Sequence, residues 1–183
     1  MEPVVLRTDR LELALPTSVD VEVMTEYCQD PDIARFVPIP QPYTRDSARG
    51  FIERFVPRAW ASGAEYNWAI RERSGETDAT TGRFLGMIGA RPAADDGSVD
   101  VGYWLGAPHR GQGYVPEAAR SVIEWLGAEC GTRRVTWWAL PGNAASRRVA
   151  EKLGFAFGGT RPVEGGFRGT PAEAWFAELR LTR

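Results

Sequence analysis

Residues 106–126 read GAPHRGQGYVPEAARSVIEWL, and the reading of the chain follows from what this stretch can be. Gly106, Gly111 and Gly113 lead into a segment that places Ala118, Ala119, Val122, Ile123 and Leu126 on one side of a helix over about Pro116 to Ala128. Backbone N–H groups at a helix N-terminus lack internal partners, and the helix dipole favours negative charge there, so a glycine turn in this position is a candidate anion site. Two familiar phosphate motifs fail: Gln112 stands where a P-loop needs lysine, and Pro116 stands where the dinucleotide fingerprint needs its third glycine. A plain structural turn, with Pro116 opening the helix at its first position, accounts for the same residues.

Outward from this turn, Val99 to Leu105 reads as the strand that feeds it. Val4 to Leu15 alternates like a strand, with Leu11, Leu13 and Leu15 on one face. Ser18 caps a predicted helix over Val19 to Gln29, ended by Asp30-Pro31. The three prolines of FVPIPQPYT (residues 36–44) exclude regular structure, and a helix over Arg45 to Ala61 follows, kinked or closed by Pro57. Strands are expected at Tyr66 to Arg73 and Arg83 to Arg91, joined by a hairpin loop SGETDATTG. After the central helix come a strand at Arg133 to Leu140, a helix at Asn143 to Leu153 stopped by Gly154, and strands near Phe155 to Thr160 and Glu173 to Leu181. This order predicts an α/β (α+β) fold with a mixed, mostly antiparallel sheet flanked by helices, and it lacks the regular alternation of a doubly wound dinucleotide fold.

The 183 residues fit one domain, 1–183, with 43% hydrophobic and 25% charged residues and a net charge of -2. That balance gives no reason to expect nucleic acid or an anionic membrane as partner. The opening MEPVVLRTDRLELALP has no apolar run of signal-peptide length, and no span of about 20 apolar residues occurs. Two distant cysteines, Cys28 and Cys130, fit buried, reduced thiols in a cytoplasmic protein. With His109 as the single histidine and no CxxC, no metal site is expected.

Arg110-Gly111-Gln112-Gly113-Tyr114-Val115 resembles the Q/R-x-x-G-x-G/A acyl-CoA signature of the GNAT superfamily of N-acetyltransferases. The wider run from Val101-Gly102-Tyr103-Trp104-Leu105 to Glu117-Ala118 is similar to the RimJ/RimL-type branch. So are Asn143 to Phe155, which match N-x-x-S-x-x-x-x-E-K-x-G-F, and the opening Leu6-Arg7-Thr8-Asp9-Arg10-Leu11. One departure is Val115, where Gly or Ala is commonest. The resemblance implies acyl-CoA bound between splayed middle strands and direct transfer of acetyl from acetyl-CoA to a primary amine, with no metal.

The resemblance also implies roles. Backbone N–H groups of Gly111, Gln112, Gly113, Tyr114 and Val115 hold the pyrophosphate, with Arg110 at the entrance, while Tyr103, Trp104 and Leu105 align the pantetheine arm. Asp100 falls where the family often carries its base; as a rival reading, it is a solvent-facing carboxylate of the polar run 95–98. The family's usual tyrosine acid is replaced by Ala150, which leaves Ser146 as candidate acid, and Asn143 binds cofactor or orients the acceptor. Asn143 as helix N-cap and Ser146 as a first-turn residue is the alternative. His109 is expected in structural or adenine-side packing. The acceptor cleft is expected from residues 36–44 and 162–171, with Phe36, Tyr43, Trp60 and Phe167 as apolar lining, and Trp137-Trp138 as core plus one wall. An α-amine of a protein or peptide is the leading acceptor. A small-molecule amine, or a non-catalytic acyl-CoA-binding regulatory module, remains as an alternative, and a homodimer is a family-level expectation.

Overall fold

Eight strands form one sheet in the order β1-β2-β3-β4-β5-β6-β8-β7 in the computed structural model, which describes residues 1–73, 82–93 and 96–181. The strands are β1 (Leu6–Arg7), β2 (Leu11–Ala14), β3 (Tyr66–Glu72), β4 (Phe84–Pro92), β5 (Ser98–Leu105), β6 (Arg134–Ala139), β7 (Ala156–Pro162) and β8 (Glu173–Arg180). The helices are α1 (Val21–Tyr27), α2 (Pro31–Phe36), α3 (Arg45–Gly50), α4 (Val56–Ser62), α5 (Tyr114–Glu129) and α6 (Ala144–Lys152). Every neighbouring pair is antiparallel except β5–β6, which are joined through α5 and run parallel, as a crossover connection requires. The mixed, mostly antiparallel sheet flanked by helices is the architecture expected from the order of elements.

The β5–β6 ladder is the feature that makes a site. It pairs only Ser98–Asp100 with Arg134–Thr136. Beyond Asp100, β5 stays with β4 as far as Leu105, while β6 stays with β8 as far as Ala139. The sheet is therefore split along its middle from Asp100 onward.

Several local expectations change. The first strand is a hairpin of β1 and β2, because Thr8 accepts from the Leu11 N–H and donates to its carbonyl, turning the chain at residues 8–10. A 3-10 turn at Ser18–Asp20 precedes α1, and Thr17 rather than Ser18 is its cap, its N–H donating to Asp20 Oδ2 at 2.7 Å. Asp30-Pro31 does more than end a helix. Asp30 accepts from the N–H groups of Asp32 and Ile33, and Pro31 takes the first helical position, so α2 begins there. The helix predicted over residues 45–61 widens at Phe51–Phe55, where the Val56 N–H reaches back five residues to Phe51, and α4 carries Pro57 in its first turn. Pro116 is the third residue of α5, not the first; an N–H there would have no internal partner, so proline removes no helical bond. Antiparallel β3 and β4 confirm the hairpin, and its loop at 74–81 lies outside the described residues.

Two apolar clusters hold the sheet. On the α5 side, Leu11, Leu13, Trp68, Ile70, Val122 and Leu126 are fully enclosed, and Trp60, Tyr66, Trp68 and Trp125 pack ring to ring at 4.8–6.5 Å. The indoles of Trp60 and Trp68 donate to the carbonyls of Asn67 and Val4, so no buried N–H is stranded there. A second cluster of Met24, Cys28, Ile33, Tyr43, Phe84 and Met87 joins α1–α3 to the sheet.

Gly106 shows how tightly the turn is seated: a Cβ there would lie 2.4 Å from the Tyr27 ring. Gly106→Ala is expected to destabilise the chain by about 1–3 kcal/mol through this overlap, read as a lowered thermal midpoint.

Candidate active site

The Gly111–Val115 turn keeps its donors free. Gly111 and Gly113 have φ of 77° and 80°, left-handed values that a side chain would strain. The Arg110 N–H reaches the Ala107 carbonyl and the Glu117 N–H reaches the Gly113 carbonyl. Between them, the N–H groups of Gly111, Gln112, Gly113, Tyr114 and Val115 find no acceptor among the described residues. The turn itself is fixed from outside: Glu117 holds Arg10 by its backbone and guanidinium, and Arg10 Nη1 reaches the Gln112 carbonyl at 3.1 Å.

Side chains here are committed elsewhere. Arg110 pairs with Asp30 at 2.9 Å and Asp32 at 3.4 Å, so it ties α2 to the turn. Gln112 donates to the Pro108 carbonyl. Tyr114 donates to Glu72 at 2.7 Å, and that bond holds the Glu72 carboxyl below its usual range. Val115 is buried in the α5-side cluster and also borders the cleft over the turn. His109 is buried against Tyr27, 2.8 Å from its hydroxyl, and burial lowers its pKa. It packs structurally, as one of the two roles expected for it.

A cleft of about 400 Å³ runs over this turn, lined by Gly111, Gly113, Val115, Leu105, Arg148 and Lys152 among others. A second cleft of about 480 Å³ lies beside it, within the size range of small-molecule sites. The two share Phe36, Val37, Tyr103, Trp104, Asn143 and Ser146, of which Tyr103 and Trp104 lie on β5 beyond its last pairing with β6. The cleft over the turn and the second cleft thus adjoin at the split sheet.

Asp100 sits in the second cleft at the last position where β5 pairs with β6, opposite Arg91 on β4 and Thr136 on β6. It is not a solvent-facing carboxylate. Its Oδ1 is enclosed without a hydrogen-bond partner among the described residues. Burial pushes its pKa up to about 7; the Arg91 guanidinium opposes this and Glu65 adds to it. Glu65 and Arg91 pair at 2.8 Å in the same cleft. Gly102 leaves the floor open, since a Cβ there would meet nothing within 4 Å.

Asn143 caps α6, accepting from the Ser146 N–H at 3.1 Å, and lines both clefts. Ser146 Oγ accepts from Trp137 Nε1 at 3.0 Å and donates to the Tyr103 hydroxyl at 3.1 Å. Burial raises the Tyr103 phenol to about 12. The cap and the site position are therefore compatible.

The second cleft corrects the expected lining. Phe36 and Tyr43 line it, as does Trp138, while Trp137 is 2% exposed and belongs to both core and cleft. Trp60 does not, because it is 1% exposed inside the aromatic cluster of the α5 side. Phe167 is also absent from the lining; its loop acts through Arg168, which donates to the Ala34 and Val37 carbonyls and straps the end of α2. Glu65, Asn67 and Arg91, with Phe51 and Phe55 of the widened helical turn, are additional lining residues. Cys28 is buried, its thiol pushed up to about 12, and burial also raises Cys130, so neither favours the thiolate.

The chain is 32% identical over 120 residues to the uncharacterized Bacillus subtilis (strain 168) protein YkkB, covering 61% of this chain and 67% of that one. It is 27% identical over 151 residues to the uncharacterized N-acetyltransferase p20 of Bacillus licheniformis, covering 82% and 81%. A candidate ribosomal-protein-serine acetyltransferase of Vibrio cholerae shares the fold at a TM-score of 0.85, with 22% identity over 99% of this chain and 100% of that one. The RimL ribosomal L7/L12 α-N-protein acetyltransferase, solved with coenzyme A, shares it at 0.79, with 16% identity over 97% and 98%. Residues 10–156 match the model of the acetyltransferase (GNAT) domain, and on that match the chain belongs to the GNAT acetyltransferase family and is an acyltransferase.

Proposed function

We propose that this chain transfers acetyl from acetyl-CoA to a primary amine by direct attack, and that the amine is an α-amine of a peptide or protein. The observation that carries the reading is the meeting of two clefts at the split between β5 and β6. One is lined by Gly111, Gly113, Tyr114 and Val115, whose N–H groups find no acceptor among the described residues, and the other by Asp100 with its enclosed Oδ1. The free N–H groups of residues 111–115 fit a pyrophosphate, since hydrogen bonds to charged groups contribute roughly 1.5–3 kcal/mol each. Acetyl-CoA held there would supply an acetyl thioester at the junction of the clefts.

The rest is the work of this chain's own residues. Tyr103, Trp104 and Asn143 border both clefts and would align the reactants. Asp100, at about 7, would take the proton from the attacking nitrogen. An α-amine of pKa about 7.7–8 gives its proton to such a base at a cost of about 1 kcal/mol, whereas a lysine near 10.4 requires about 5. That difference favours an α-amine. The aromatic wall of Phe36, Tyr43, Phe51, Phe55 and Trp138 favours an apolar residue bearing it. A small apolar amine is the second reading, favoured by the cleft volume of about 480 Å³. Two unpaired cysteines accord with a cytoplasmic setting.

Gly113→Glu tests the cradle: it puts a carboxylate at the N-cap of α5 and a side chain at φ 80°. Calorimetric titration with acetyl-CoA is expected to lose at least a hundredfold in affinity, roughly 3 kcal/mol. Unchanged affinity would remove the phosphate assignment.

A further inference from the structure

We propose that the Tyr103 hydroxyl, positioned by Ser146, donates the hydrogen bond that stabilises the departing sulfur, so that Tyr103 and not Ser146 is the catalytic residue on that side of the reaction. The inference rests on the acetyl-transfer reading above and adds a residue role to it.

Hydrogen-bond direction decides between the two hydroxyls. An indole N–H can only donate, so Trp137 fixes Ser146 Oγ as its acceptor at 3.0 Å. Ser146 then has one hydrogen to give, and it points at the Tyr103 oxygen 3.1 Å away. The hydrogen of Tyr103 is the mobile end of this chain. It reaches the Ser146 carbonyl at 3.2 Å, about as long as the bond that Tyr103 accepts from Ser146, and that carbonyl lies inside α6, where the helix supplies a donor of its own. Turning the Tyr103 hydrogen toward a new acceptor therefore strands no partner. A Ser146 hydrogen turned the same way would leave Tyr103 without its donor.

Placement agrees. Tyr103 borders both clefts, and it is three residues beyond Asp100, so the two side chains leave opposite faces of β5. Base and donor can then act on opposite sides of one carbon. The bookkeeping closes without another reactant: the amine nitrogen forms the C–N bond, the C–S bond breaks with its pair on sulfur, and Asp100 receives the N–H proton. The sulfur leaves as a thiolate and is protonated from solvent on release. Tyr103 keeps its proton throughout, because burial holds it far above a thiol near 8.5.

The test is an ultraviolet thiolate titration of CoA bound to the wild-type chain, Tyr103→Phe and Ser146→Ala. The bound thiol is expected to titrate below free CoA in the wild type. Tyr103→Phe should raise it by about one pH unit, a tenfold loss of thiolate stabilisation, and lower kcat with little change in acetyl-CoA KM. Ser146→Ala should have a smaller effect on both. An unchanged titration in Tyr103→Phe, or the whole effect in Ser146→Ala alone, overturns the proposal. If Tyr103→Phe fails to fold, the wild type decides: a bound thiol titrating at or above free CoA overturns it, and one below supports it. A wild-type chain that binds no CoA gives no isotherm at all, which overturns the cradle assignment and this proposal together and is distinct from a normal isotherm with an unshifted thiol.

Discussion

Asp100→Asn is expected to lower kcat by roughly 10²–10⁴-fold while leaving the chain at least as stable as the wild type above pH 7. The two halves of this result have one cause. Asp100 is half-buried with its Oδ1 enclosed and unpartnered among the described residues, and desolvation raises its pKa from 3.8 to about 7. As a base it works only when ionised, so kcat/KM should climb with pH through about 7 and then level, a limb that Asp100→Asn should remove. In folding the sign is opposite. The folded chain holds this proton between about 3.8 and 7 while the unfolded chain has lost it, so stability falls as pH rises across that window. Above it, the wild type carries a buried charge that asparagine lacks. Kinetics from pH 5 to 9 beside urea unfolding at pH 5 and 8 would check both. Loss of stability at pH 8 with unchanged turnover would mark Asp100 as structural.

The largest stability effect is expected at Asp20 and Arg71. Their side chains pair at 2.6 Å and are each 2% exposed. Asp20 also accepts from the Thr17 N–H, and Arg71 donates to the Gly82 carbonyl and lies over the Phe84 ring. This pair joins the start of α1 to β3 and β4, beneath the second cluster. Asp20→Ala leaves a guanidinium buried without its carboxylate, which should cost about 3–5 kcal/mol. In a chain of this size that is a fall of about 6–20 °C in thermal midpoint. The double change Asp20→Ala with Arg71→Met should recover most of the loss, because the buried charge goes with its partner. A double variant as unstable as the single one would show that packing, not the stranded charge, sets the effect.

What the sequence discloses about this site is what lies along one strand or helix. The turn at 111–115 is legible because two glycines and a following amphipathic segment are contiguous. Asn143 and Ser146 are legible as site candidates because they fall in one contiguous block that resembles the family's N-x-x-S pattern, while their spacing alone reads as a cap and its first turn. Asp100 is legible through the resemblance, as the strand position where the family often carries its base, but its surroundings are not, since they depend on β4 and β6 lying either side of it. Glu65, Asn67 and Arg91 are not legible for the same reason: they join Asp100 in one cleft only through the pairing of β3, β4 and β5. Trp60 misled because an apolar residue on a helix does not say which of two cores it enters, and its ring went to Trp68 and Trp125. The widened turn at Phe51–Phe55 left no pattern apart from Pro57, and the strap from Arg168 to the end of α2 spans more than 130 residues.

The measurement that bears most directly on the account is acetyl-CoA turnover on a panel of amines, followed by release of the CoA thiol and by the mass of the acceptor. The panel sets peptides with apolar N-terminal residues beside N-terminally blocked lysine peptides and small apolar amines. The predicted result is thiol release in step with one acetyl group on the α-amine, fastest for apolar first residues and abolished by Gly113→Glu. Tight acetyl-CoA binding with no acetylation of any amine would contradict it and leave the chain as an acyl-CoA-binding module.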